Sequence, residues 1–181
     1  VLSTIRLNYQ YDTQAKCDLW IKTLNEIFEV DADHPQNIEK VEMLQEFFGY
    51  CLTRDTSQKK ALLLLGDSDC GKSTVLYVLR YLIGEKNCST VPLKHLGNPQ
   101  YLPMLMNKLV NLDTDVSKKA DDFEMEFRKI TSGEEINVNQ KYIATFEFKP
   151  TCKMVMAGNK FPRITDTSSA FYNRLVLIPC E

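Results

Sequence analysis

Residues 62–74 read LLLLGDSDCGKST: four leucines, a short polar loop carrying two glycines, and a Lys-Ser-Thr run that opens a helix. Gly66, Gly71, Lys72 and Ser73 fit the GxxxxGK[ST] spacing of a nucleotide phosphate loop. The spacing has a physical reason. Successive backbone N–H groups and the positive end of the following helix surround phosphate oxygens, and only a path nearly free of side chains allows this. The stretch Gly66, Asp67, Ser68, Asp69, Cys70, Gly71, Lys72, Ser73 and Thr74 is therefore the expected cradle for ATP. Lys72 is expected on the β and γ phosphates and the Ser73 hydroxyl on Mg²⁺. Val75, Leu76, Val78, Leu79 and Leu82 continue as a helical apolar face.

The chain has 181 residues and 44% hydrophobic content, enough for one buried core and cramped for two. A formal net charge of -2 excludes a uniformly basic surface but leaves room for a local cationic patch. Cysteines stand at 17, 51, 70, 88, 152 and 180 without a CxxC pair, and His34 and His95 are the only histidines, so neither a zinc site nor a disulfide framework has a pattern behind it. Cys70, inside the loop, needs a reducing compartment to stay unmodified. No run approaches 18 uncharged apolar residues, so no membrane partner is expected. The missing initiator Met and an end just after an apolar run lead to the expectation of a piece of a longer polypeptide.

Working outward, Leu19, Trp20, Ile21, Leu24, Ile27 and Phe28 predict one helix. Val41, Leu44, Phe47, Phe48 and Leu52 predict a second, capped by Asn37. Residues 1–60 hold seven Lys or Arg against ten Asp or Glu, so 1–58 is read as an arm and helical collar, and 59–181 as the catalytic core. Gly84 is expected to end the phosphate-loop helix. Val91–Leu93 is read as a short strand, and Asn98 and Pro99 as the start of a helix through Leu109. LVNLDTD, 109–115, is a strand that delivers Asp113 and Asp115 to the rim of the sheet, where ligands of open α/β sheets bind. Asp113 and Asp115 are both candidate Mg²⁺ ligands, one holding the ion through water while the other orients or activates the attacking water, with Asp115 favoured as the essential acid and Asp113 as its support; two solvated acids in a turn is the plainer alternative.

Phe123, Phe127 and Ile130 mark a further helix, followed by a turn at Gly133. Glu135–Val138 and Tyr142–Phe148 alternate as an inserted β-hairpin, with Asn139, Gln140 and Lys141 at its tip. Thr151–Ala157 resumes an apolar strand ending at Gly158 and Asn159, whose amide is placed to orient water against a γ phosphate. Arg174 precedes a last strand, Leu175–Ile178. Between 141 and 163 five cations, Lys141, Lys149, Lys153, Lys160 and Arg163, face one acid, Glu147, which makes this the place to seek an anionic polymer. Lys141, Lys149 and Arg163 are the candidate contacts to such a polymer. The element order is that of one α/β P-loop NTPase domain with a parallel sheet and helices on both faces.

GDSDCGKST, KLVNLDTDVS, FRKITSGEEI, CKMVMAGNKFPRITDTSSAFYNRL and the preceding LQEFFGYCLT, in that arrangement, resemble the superfamily 3 helicase domain of phage and plasmid primase-helicases, a group that includes the poxvirus-like primase-ATPases. The resemblance runs from about residue 17 to residue 181. It implies an AAA+-like ATPase core that assembles as a homo-oligomer, usually a hexameric ring, around single-stranded DNA and moves 3′ to 5′, in the cytoplasm of a bacterial host. A fragment on its own is compatible with a monomer.

By similarity Gly66–Ser73 match the Walker A motif, Asp115 the Walker B acid and Asn159 the sensor asparagine. Arg174 falls where an arginine finger reaches a neighbour's ATP, with Arg163 as runner-up, and the hairpin around Lys141 falls in the channel-facing region. Two departures stand out: Asn173 where family members often carry a first arginine, and Thr114 where an acid adjacent to Asp115 is common. A P-loop kinase of a small acceptor and a non-hydrolysing ATP-binding assembly module are the competing readings of the same loop.

Overall fold

A computed structural model describes residues 5–116, 123–139, 145–164 and 169–180. At its centre β1 (Ala61–Gly66) runs parallel between β6 (Lys153–Gly158) and β7 (Leu175–Cys180), with Leu62 opposite Val155 and Val176. β3 (Val110–Asp113) lies outside β6 and the two-residue β2 (Cys88–Ser89) outside β3, giving the order β2-β3-β6-β1-β7 with every pair parallel. Leu62, Leu63 and Leu64 are all fully buried, so the leucine run is apolar on both faces because both faces are covered. The expected α/β fold with a parallel sheet flanked by helices is the fold observed.

The pleat sorts the side chains into two cores. Leu62, Leu64, Val155, Ala157 and Ile178 face a layer made by α1 (Asp18–Ile27), α2 (Ile38–Cys51) and α3 (Lys72–Ile83). Ala61, Leu63, Met154 and Met156 face Phe123 and α4 (Glu124–Ser132), together with Phe171 of α5 (Ser169–Tyr172) and the strands β4 (Ile136–Val138) and β5 (Phe146–Phe148). Phe123, Phe127 and Phe171 form an aromatic cluster with centroids 4.8–6.3 Å apart. Even the N-terminal arm is tied to the first core, where Ile5 and Leu7 pack and the Asn87 side chain donates to the Arg6 carbonyl at 3.0 Å.

Several local expectations are corrected. Asn37 does not cap α2 with its side chain: it sits in a 3-10 turn (Pro35–Asn37), and its Nδ2 donates to the Glu29 carbonyl at 3.1 Å. Leu19 points to solvent at 79% exposure, so the inward face of α1 begins at Trp20 and Leu24. The short strand lies at 88–89, not 91–93. The Val91 N–H and C=O both pair with the Asn111 amide, and Pro92 then has no N–H to offer a ladder. Between 98 and 109 only a 3-10 turn (Leu102–Leu105) forms, ended by extended Met106 and by Asn107 at φ +57°. Gly84 at φ +82° and Gly133 at φ +64° end α3 and α4 as expected.

β4 and β5 pair antiparallel from Ile136↔Phe148 to Val138↔Phe146 and form the inserted hairpin; Lys141 and the rest of 140–144 lie outside the described residues. Among the described residues no helix is long and apolar enough to cross a membrane.

Lys153 is an unusual strand residue, 2% exposed at the start of β6. Its Nζ donates to the carbonyls of Thr53 and Thr151 and stands 4.6 Å from the centre of the Tyr50 ring, so it clamps the end of α2 to the sheet. Burial pulls this ammonium down to about 8 from 10.5, against weaker upward pulls from Cys51, Cys152 and Asp55. A lowered folded-state value means the unfolded chain binds more protons between pH 8 and about 10.5, so the Lys153 penalty is full below that window and fades as pH rises through it. Lys153→Met is therefore expected to gain stability relative to wild type, with the gain largest near pH 7 and shrinking toward pH 10. Denaturant unfolding of both proteins at pH 7 and pH 9.5 checks this; a difference independent of pH overturns it.

Candidate nucleotide site

The site forms where β1 ends. Gly66 opens the loop, Gly71 closes it at φ +87°, and α3 starts at Lys72 with Ser73 and Thr74 exposed in its first turn. Two close approaches explain the glycines. A Cβ on Gly66 would stand 2.0 Å from the Cys180 carbonyl oxygen, and one on Gly71 would stand 2.6 Å from Cγ1 of Ile27. Ile27, at the end of α1, thus presses on the loop from the collar side.

Lys72 is 8% exposed, and its Nζ donates to the Gly66 carbonyl at 2.9 Å, to the Asp67 carbonyl and to Cys70 Sγ at 3.2 Å. Two of the acceptors are backbone carbonyls and the third is a sulfur. A nearly buried ammonium with no carboxylate among these partners is a charge waiting for an anion, and the free N–H groups of the α3 first turn point to the same ligand.

At the end of β6, Asn159 Nδ2 donates to Ser68 Oγ at 3.2 Å, so the expected sensor residue touches the loop. One strand further out, β3 stops at Asp113, and the alternation that would have aligned the two acids stops with it. Asp113 is buried. Its Oδ2 accepts the Leu93 N–H at 2.7 Å and its Oδ1 accepts the Asp115 N–H at 3.5 Å. Burial raises its pKa, and the two backbone donors act against that rise. Asp115 is exposed, and the next residue, Val116, donates its N–H to the Ala157 carbonyl at 2.9 Å. The acid is thereby seated beside the end of β6, about two strand spacings or ~10 Å from β1.

Arg174 lies at the other end of the sheet. Its carbonyl accepts the Ala61 N–H at 2.7 Å, and six strand residues, roughly 20 Å, separate it from the loop of its own chain. Nη1 donates to the Ala170 carbonyl at 2.6 Å and Nη2 to Ser132 Oγ at 3.2 Å, while Nε is buried without a partner. The cationic window is thinner than its charge count. Lys153 is buried and cannot meet a polymer, Lys149 pairs with Glu135 at 3.6 Å, and Lys160 and Arg163 are exposed. Among the described residues no group of three or more His, Cys, Asp or Glu side chains has the arrangement of a metal centre.

Sequence reading missed Asn111, fully buried in β3. Its Oδ1 accepts from Ser89 Oγ at 2.9 Å and the Val91 N–H at 2.8 Å, and its Nδ2 donates to the Val91 carbonyl at 2.9 Å. With Asp113 on Leu93, two alternate residues of β3 fasten the segment that leaves β2. An amide inside an otherwise apolar strand was the available signal.

Residues 64–174 match a family model described as "Family of unknown function (DUF5906)". The chain belongs to this family. Over 180 residues this DUF5906 chain is 24% identical to "Putative helicase L207/L206" of Acanthamoeba polyphaga mimivirus, covering 95% of the chain and 18% of that protein. Among solved structures it is similar to the NrS-1 C-terminal region, at TM-score 0.66 and 21% identity over 93% of this chain and 38% of the other. It is also similar to JCV helicase, at TM-score 0.52 and 19% identity over 92% and 45%. The chain thus spans less than half the length of each of these proteins. Its similarity is helicase-like, and the structural likenesses carry the fold.

The packing of Ile27 on the loop has a measurable consequence. Gly71→Ala meets both the left-handed backbone and the Ile27 side chain, and is expected to lower Tm by about 3–6 °C. Adding Ile27→Ala to it relieves the contact but not the backbone strain. An unchanged Tm in Gly71→Ala, read by scanning calorimetry, would show that α1 does not brace the loop.

Proposed function

We propose that this chain is the ATP-hydrolysing motor domain of a DNA helicase, of the type found in phage and plasmid replication primase-helicases, which couples turnover to movement on single-stranded DNA. The observation that carries it is the junction at the carboxyl end of the sheet: Asn159, just past β6, bonded to Ser68 of the phosphate loop, with Lys72 Nζ donating to two loop carbonyls and the Cys70 sulfur and to no carboxylate among the described residues. Polyphosphate supplies the missing negative charge, and an amide already in contact with the loop is placed to orient water at the terminal phosphate. The similarity to a viral helicase over nearly the whole chain supports the same reading.

The donor set fits Mg²⁺ bound together with nucleotide. Ser73 is exposed at the first helical turn, Asp115 is exposed at the sheet rim, and magnesium ordinarily takes few protein oxygens beside phosphate and water. Ser73 and Asp115 would hold the ion, and Asp113 supports the backbone of Asp115 through its N–H. When bound, magnesium neutralises charge on the phosphoryl oxygens. Lys72 binds the β and γ phosphates after turning away from the loop carbonyls, and Asn159 positions the attacking water.

Arg174 cannot reach the loop of its own subunit, so its proposed role as a finger is in trans, and hydrolysis then depends on ring assembly. DNA is held by Arg163 and by the hairpin, where Lys141 and Lys149 bind backbone phosphate without reading sequence.

Three proteins test the proposal: wild type, Lys72→Ala and Arg174→Ala, each assayed for binding of a fluorescent ATP analogue, ATP turnover with and without single-stranded DNA, and particle size with ATP-Mg²⁺. Wild type is expected to bind nucleotide and to turn over faster on DNA, and Lys72→Ala to lose binding by on the order of 100-fold. Arg174→Ala is expected to assemble as wild type does, with unchanged Tm, yet to lose turnover. A DNA-independent transfer of phosphate to a small acceptor would favour a kinase and remove the motor reading. Normal turnover by Arg174→Ala would remove the finger, and a large loss of Tm would assign that arginine to fastening α4 and α5.

A further inference from the structure

A second chemistry sits beneath the phosphate loop. Cys180, the last described residue of β7, is 3% exposed in the first core, and Cys70, partly exposed in the loop, packs against that same core. The two residues meet over Gly66, where the place of a missing Cβ is 2.9 Å from Cys70 Sγ and 2.0 Å from the Cys180 carbonyl oxygen. Lys72 Nζ lies 3.2 Å from the same Cys70 sulfur. Cys51, Cys88 and Cys152 are buried elsewhere in the two cores or at their edges, and Cys17 is exposed.

We propose that Cys70 and Cys180 are an oxidation site, converted by peroxide into a disulfide that holds the phosphate loop shut against nucleotide; the effect on nucleotide rests on the function proposed above. The chemistry balances in two steps. Cys70, the accessible sulfur, attacks one peroxide oxygen: an S–O bond forms, the O–O bond breaks, and one water leaves, giving the sulfenic acid. The Cys180 sulfur then attacks Cys70: the S–S bond forms, the S–O bond breaks, and the second water carries off the oxygen with the Cys180 proton. Two electrons pass from the sulfurs to the peroxide.

The consequence follows from position. Cys70 immediately precedes the backbone of Gly71 and Lys72, and on the function proposed above the Lys72 side chain must leave the Gly66 and Asp67 carbonyls to meet phosphate. A covalent tie from residue 70 to the edge of the sheet fixes that backbone in the arrangement where Lys72 is already satisfied by Gly66 and Asp67. Nucleotide and disulfide therefore oppose each other, and by linkage bound nucleotide protects the pair.

Graded hydrogen peroxide, followed by non-reducing peptide mapping and binding of the fluorescent ATP analogue, tests this on the wild-type chain. A linked Cys70–Cys180 peptide is expected, formed more slowly with ATP-Mg²⁺ present. Nucleotide affinity is expected to fall at least tenfold and to return with a thiol reductant. Cys180→Ala, with its folding checked by Tm, is expected to show no linked peptide and no thiol-reversible loss of affinity. Two results overturn the proposal: no Cys70–Cys180 link at doses that fully oxidise Cys17, or linked protein that binds nucleotide as the reduced protein does. If reduced protein binds no nucleotide at all, the functional reading fails together with loop closure, whereas the peptide map still decides the cross-link on its own.

Discussion

The buried ammonium of Lys72 is the constraint to which the rest of the site answers. Folding brings a full positive charge to 8% exposure and gives it two carbonyls and a thiol as partners, an arrangement that compensates its hydrogen-bonding protons but not its charge. Such a charge is tolerable only beside open solvent or an anion, and the loop provides the opening. Everything nearby keeps bulk away: Gly66 lets the Cys180 carbonyl and the Cys70 thiol approach, and Gly71 admits Ile27. The collar is thus continuous with the site. α1 and α2 share one apolar core with α3 and the sheet, so a displacement at the end of α1 is felt at Gly71 through a single side chain.

The parts legible in the sequence are those where a local pattern and the tertiary environment ask for the same thing. Leu62–Leu65 form a strand covered on both faces, GDSDCGKST needs its glycines for backbone reasons, and Phe123, Phe127 and Ile130 are fully buried at helical spacing. The misread parts are those where a distant partner decides. Val91 has the composition of a strand, but its backbone groups are taken by the Asn111 side chain from the neighbouring strand, which no window around residue 91 reveals. Residues 98–109 have helical spacing of apolar groups, yet after the turn Leu102–Leu105 the chain passes through Asn107 in the left-handed region before joining β3.

The same distinction holds for charge. Counting cations along 141–163 treats Lys153 as surface, whereas its stem follows the β6 pleat into the first core and its ammonium ends on the Tyr50 ring and two carbonyls. Asp113 and Asp115 are likewise two residues apart and alike in type, but the end of β3 between them sends one inward to hold Leu93 and leaves the other at the rim. One acid can then organise the backbone while the other remains open to a cation, a division of labour set by strand length and not by spacing.

Parallel strands also impose a polarity that bears on how such a domain must work. All five carboxyl ends lie on one edge, and the phosphate loop, Asn159 and Asp115 emerge there together. Arg174 sits on the opposite edge, a full strand length away, where the backbone pairing of Ala61 with it anchors the start of β1. No side-chain motion spans that distance, since an arginine reaches at most about 7 Å from its Cα. An arginine in this place serves either its own α4–α5 junction or a site brought to it by another molecule. Its Nη groups are engaged with Ala170 and Ser132 while Nε stays buried and unpaired, so the junction does not use the guanidinium completely. A donor kept from water without a partner is costly within one subunit. Under the in-trans role proposed above, that cost is relieved when a neighbour's anion takes the group, and the polarity of the sheet is then the reason the proposal calls for a second copy.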